Sequence, residues 1–177
     1  MTTEYRLIRD HYGDRTAKRS GVRLMNHIDQ GLAVLEAIGA ADTTQRAFCL
    51  HPLLQNDEDL LLHYPTVCVE ARPAAILLAM EYRSVANAWL SDKVYTVGIE
   101  EGHFGPFYHK IGEPRLSPIP AVNEMLVADK VQNYKDFVIY HSEHPRRFEL
   151  SLYFDTWLEV LGVSKAEFNR LCAIMDT

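Results

Sequence analysis

Three ionisable side chains, His27, His51 and Asp129, fall on helical faces that are otherwise apolar. Burying such a group is costly unless it is paired, hydrogen-bonded or bound to something, so three in one short chain ask for a shared explanation. Two imidazoles and a carboxylate make a workable ligand set for a divalent transition metal (Mn, Co, Fe or Zn), with coordination positions left open for water and a phosphate. The competing reading makes each histidine a hydrogen-bonded core residue and pairs Asp129 with Lys130 or Arg83. His51 has the most unusual surroundings. It closes the apolar run Ala47-Phe48-Cys49-Leu50 and is followed at once by Pro52 and then by the amides and acids Gln55 to Asp59.

The elements that must position these residues are helical. Residues 1–20 are polar and basic and form at most a short first helix, which Gly13 interrupts. Leu24, Ile28, Leu32, Leu35 and Ile38 recur every three or four residues, with His27 on the same stripe and Gly39 as the stop. Asp42 or Thr43 can cap the helix that holds His51, and the His51-Pro52 step predicts a kink or an early end there. Pro73 opens a long apolar helix to Leu90, on which Glu81 is the odd polar member of the inner face, while Arg83 and Asn87 suggest a second polar face. Residues 93–97 read as a short strand within a Gly- and Pro-rich stretch, 92–118, that is a long loop or short hairpin and holds His103 and His109. Helical spacing returns from Val122 towards Tyr140, then from Leu150 to Leu161, and Ser164 with Glu167 forms a capping box for a last helix. His141, His144, Arg146 and Arg147 make a small basic patch between them.

The order of these residues resembles a known family. Arg19-Ser20-Gly21 precedes His27; Ala47-Phe48-Cys49-Leu50-His51 follows; then comes Ala128-Asp129-Lys130-Val131-Gln132-Asn133. This order is similar to that of the HD-superfamily metal-dependent phosphohydrolases, and within them to the guanosine tetraphosphate (alarmone) hydrolase branch, over about residues 19 to 137. The resemblance implies a mostly α, single-domain HD-like helical bundle over residues 1–177, in which His27, His51 and Asp129 converge on one metal. It also places Arg19 near a nucleotide base and Asn133 near the sugar or phosphate, with Lys130 and Arg83 as further substrate-binding candidates. The chain departs from the family at Pro52, where the His-Asp dyad has its Asp, and at Gln55-Asn56, where a Glu-Asp pair helps to orient the attacking water. Proline cannot ligate a metal and an amide cannot take a proton from water. Asp57, Asp59 and Glu81 are the acids that can substitute in catalysis, although the 57–59 cluster also reads as a solvated helix end.

The totals bound the partners. A chain of 177 residues with 47% hydrophobic and 24% charged residues suits one globular domain, and a formal charge of −6 disfavours a dedicated nucleic-acid binder. Three cysteines without a C-x-x-C pair fit the reducing cytoplasm, and no apolar stretch is long enough for a membrane span. The expected function is a metal-dependent phosphohydrolase acting on a nucleotide or nucleotide-derived phosphate. The alternative is a non-catalytic HD-like module that binds a nucleotide or a protein partner, and a third reading is an assembly role through the 92–118 loop. Self-association is left open.

Overall fold

The computed structural model describes residues 1–18, 20–91, 114–141, 143 and 145–176, with the backbone alone for 88–91. Its architecture is all-helical among these residues: α1 (Thr3–Tyr12), α2 (Met25–Ala37), α3 (Asp42–Leu54), α4 (Asp57–Glu70), α5 (Pro73–Ser91), α6 (Pro120–Tyr140), α7 (Arg147–Val160) and α8 (Lys165–Met175). The expected strand at 93–97 and most of the 92–118 loop, with His103 and His109, lie outside the described residues, as do Arg19 and His144. Local chemistry sets the helix limits. Thr2 Oγ1 caps α1 at the Tyr5 amide (3.2 Å), Asn56 caps α4 at the Asp59 amide (2.8 Å), and Ser164 caps α8 at the Glu167 amide (3.2 Å). Gly39, at φ 76°, provides the left-handed turn just beyond α2.

The bundle is arranged around α3, which touches α1, α2, α4, α5 and α6. It is buried nearly all round, with Ala47, Phe48, Cys49, Leu50, Leu53 and Leu54 in the core, as expected for a helix that has neighbours on every side. Small residues of α5, among them Ala75, Ala79 and Ala86, let that helix lie along α3. On the α2 side Gly31 has the same effect. A methyl group there would overlap Cε1 and Cζ of Phe48, so only glycine admits the ring.

Two findings differ from the sequence reading. Helix α3 does not end or break at His51 but runs through Pro52 to Leu54. Proline removes one backbone donor near the end of the helix, and the carbonyl so released, that of Phe48, finds another donor. The second is helix α4 itself, which the sequence did not announce; its first turn is formed by Asp57, Glu58 and Asp59, in keeping with their reading as a solvated helix end, where negative charge is favoured. Val67 is its one fully buried residue, and Leu61 and Val69 are 80% and 85% exposed. Among the described residues, no helix is long and apolar enough to cross a membrane.

Candidate metal centre

His27 sits in the first turn of α2, His51 in the last turn of α3 and Asp129 in the middle of α6. Packing of these helices brings the three side chains together. His27 Nε2 is 3.1 Å from His51 Nε2 and 3.6 Å from Asp129 Oδ1, and His51 Nε2 is 3.9 Å from the same oxygen. A point equidistant from the three atoms lies about 2.1 Å from each, within the ~2.0–2.2 Å that zinc keeps from imidazole nitrogen and carboxylate oxygen.

The surrounding hydrogen bonds decide which atoms face that point. His51 Nδ1 lies 2.6 Å from the Phe48 carbonyl oxygen, an acceptor, so Nδ1 carries the proton and Nε2 is bare. In an unbroken helix the amide of residue 52 would occupy that carbonyl; Pro52 has none. His27 Nδ1 lies 2.7 Å from Gln132 Oε1, and the Gln132 amide is oriented by donating from Nε2 to Asp136 Oδ2 (2.8 Å) and Gln30 Oε1 (3.3 Å). His27 therefore also donates from Nδ1 and presents a bare Nε2. With both imidazoles neutral, two nitrogen lone pairs at this separation, with a carboxylate beside them, repel unless a positive centre, either a second proton on one ring or a metal ion, stands between them. The residues present thus fit a divalent metal, each imidazole being held through its other nitrogen.

The carboxylate is held just as firmly. Asn133 Nδ2 donates to Asp129 Oδ1 (2.8 Å), and Lys130 Nζ pairs with Oδ2 (2.7 Å). Burial alone would raise the Asp129 pKa, but the Lys130 ammonium, the strongest of its charged neighbours, outweighs it and holds the group below the ordinary carboxylate range. Lys130, itself buried, is raised against its own desolvation by Asp129 and Tyr153, and lies over the rings of Tyr153 and Trp157 at 5.6 and 5.3 Å. For His51, burial first and His27 second push the pKa down to about 3. The unfolded chain therefore binds a proton at this residue below pH about 6.5 that the folded, metal-free chain refuses. This contribution to stability is complete above that pH and declines as the pH falls, by at most about 1.4 kcal/mol per unit. Urea melts in chelator at pH 7.5 and 5.0 should show the loss, and His51→Gln should flatten it; equal slopes for the two proteins would refute the assignment.

The trio lines a cleft of about 440 Å³, whose walls include Tyr12, Arg23, Gln55, Asn133, Asp136 and Tyr153. Of the sequence-level candidates, His27, His51, Asp129, Lys130 and Asn133 come together here, and Lys130 reaches Asp129 rather than projecting as a free cation. The proposed acids do not line the cleft. Asp57 is 86% exposed and pairs with Arg83, which does not line the cleft either; Asp59 lies in the first turn of α4; and Glu81 accepts from Ser117 Oγ at 2.8 Å. The physical reason is that α3 continues past Pro52 to Leu54 and the acids belong to the first turn of a separate helix, α4. Arg146 is engaged by Glu149 (2.5 Å), and Arg147 stacks on Phe148. A larger hollow of about 580 Å³, between α6, α7 and α8, contains Tyr134 and Phe168 and none of the trio.

No family model, curated protein or solved structure matches the chain. The likeness to the HD superfamily accordingly rests on the residues quoted above. Among the cleft residues that the sequence reading did not offer are Gln132 and Asp136. They share one face of α6 with Asp129 and Asn133 at positions i, i+3, i+4 and i+7, and this polar stripe was the available signal.

Proposed function

We propose that this chain is a metal-dependent phosphohydrolase acting on a nucleotide or nucleotide-derived phosphate. The observation that carries the reading is the pair of bare Nε2 atoms, each fixed by a hydrogen bond from its own Nδ1, facing one carboxylate oxygen at metal-ligand spacing. His27, His51 and Asp129 hold the ion, which when bound supplies Lewis acidity towards phosphoryl oxygens and water. Asn133 and Lys130 fix the Asp129 carboxylate, and Gln132 fixes the His27 ring. With Asp129 engaged as a ligand, Asp136 is the remaining carboxylate among the residues lining the cleft and takes the role of proton acceptor. The rings of Tyr12, Tyr153 and Phe154 offer faces for a base, and Arg23, paired with Asp14 at 3.1 Å, carries a guanidinium on the cleft wall that a phosphate would have to share with that carboxylate. The test is metal analysis combined with a phosphate-release screen over nucleotides. Release that depends on added Mn²⁺, Co²⁺ or Zn²⁺ and disappears in His51→Ala supports the reading; a metal-free, inactive protein sinks it.

One observation favours a second reading, a non-catalytic nucleotide-binding module. Gln55, an amide, stands on the cleft wall beside Pro52, where the resembled family has acids. Stabilisation by a nucleotide in the presence of chelator, with no hydrolysis in metal, would select it.

A further inference from the structure

A second group of ligand-type side chains lies at the junction of α1 and α4. His11 is in the last turn of α1, and Asp59 and His63 are one turn apart on α4. One ligand atom from each lies within 4.8 Å of the others. The His11 and His63 rings meet edge to face, with centroids 4.3 Å apart. His63 Nε2 is shielded from solvent and has no hydrogen-bond partner, a condition that native proteins seldom leave uncorrected. The Asp59 carboxylate is positioned in advance: Asn56 Nδ2 donates to its Oδ2, while the Asp59 amide donates back to Asn56 Oδ1.

We propose that His11, Asp59 and His63 form a second divalent-cation site that fastens α4 to α1. It shares no residue with the His27, His51 and Asp129 trio and does not depend on the proposed activity. Two imidazoles and one carboxylate suit Zn²⁺, Co²⁺ or Ni²⁺ better than Mg²⁺ or Ca²⁺, which take all-oxygen shells. The fold supplies the reason for a clamp. Helix α4 buries only Val67 fully, and the Arg6–Glu70 ion pair ties the far ends of the two antiparallel helices while leaving the His11 end without such a link. An ion there would close that end. Tyr12, the residue after His11, lines the cleft, so occupancy would also steady one cleft wall.

The test uses the full chain carrying His27→Gln, which weakens the first trio at a partly exposed position. Co²⁺ is titrated in and followed by visible d–d absorption and by thermal melting. One equivalent should still bind and raise the melting temperature, and adding either His63→Ala or His11→Gln should weaken that binding at least a hundredfold and abolish the shift. Far-ultraviolet circular dichroism confirms folding, and the two second substitutions, on different helices, guard against the misfolding of either one. A folded His27→Gln chain that takes up no Co²⁺, or uptake that survives both second substitutions, overturns the proposal.

Discussion

Replacing Asp129 by alanine should abolish metal uptake at the His27, His51 and Asp129 site, leaving at most the equivalent taken up by His11, Asp59 and His63, and destabilise the metal-free protein by about 3–5 kcal/mol, the loss expected when one partner of a buried ion pair is removed. Both effects have one origin. Asp129 Oδ1 faces the two Nε2 atoms, and its Oδ2 neutralises Lys130, which is 5% exposed, lies over the rings of Tyr153 and Trp157 and also hydrogen-bonds Tyr153. Because a loss of that size can approach the whole stability of a domain, the variant is paired with Asp129→Asn/Lys130→Met, which removes both charges and should regain most of the stability. Uptake at the His27, His51 and Asp129 site should stay lost in the double variant. Urea unfolding in chelator measures the first effect and Co²⁺ titration the second; a double variant that binds Co²⁺ like the parent would remove Asp129 from the ligand set.

Pro52→Ala should move stability and metal affinity in opposite directions. Restoring an amide at residue 52 gives the Phe48 carbonyl its ordinary helical donor, and alanine is a far better helix residue than proline, so the melting temperature should rise by the equivalent of about 1–2 kcal/mol. The same amide competes with His51 Nδ1, now 2.6 Å from that oxygen, and loosens both the tautomer and the ring orientation. Loss of such an orienting bond typically weakens metal binding about 10–100-fold, and isothermal titration with Zn²⁺ would read it. Equal or tighter binding in Pro52→Ala would mean that the carbonyl does not set the ring. The residue that departs most visibly from the resembled dyad thus acquires a positioning role: it ligates nothing, yet it frees the acceptor that turns His51 towards its neighbours.

Helices with a clear apolar stripe were legible in the sequence. The periodicities around Leu24–Ile38, Val122–Tyr140 and Leu150–Leu161 correspond to α2, α6 and α7, and Ser164 caps α8 as its spacing indicated. Helix α4 was not legible, because it has almost no buried face to announce and carries Pro65 in its interior. Within the candidate site, the ligand trio stood out as ionisable groups on apolar faces, whereas Gln132 and Asp136 look like ordinary surface residues until α6 is packed against α2. The acids at 57–59 were placed near the site by sequence proximity to His51, but they form the first turn of α4 and do not line the cleft. The pairing of His11 with Asp59 and His63 joins segments far apart in the chain, so no local pattern could have revealed it.

Gly31 and Phe48 meet one helical turn from the two imidazoles, Gly31 following His27 on α2 and Phe48 preceding His51 on α3. The ring of Phe48 packs against both histidines, with centroids at 5.7 and 4.6 Å. The missing side chain at residue 31 therefore acts as a gauge. It sets how closely the two helices approach, and so whether their nitrogens can be spanned by a single ion. A residue that touches no metal and carries no charge would then be as decisive for the site as any of its ligands.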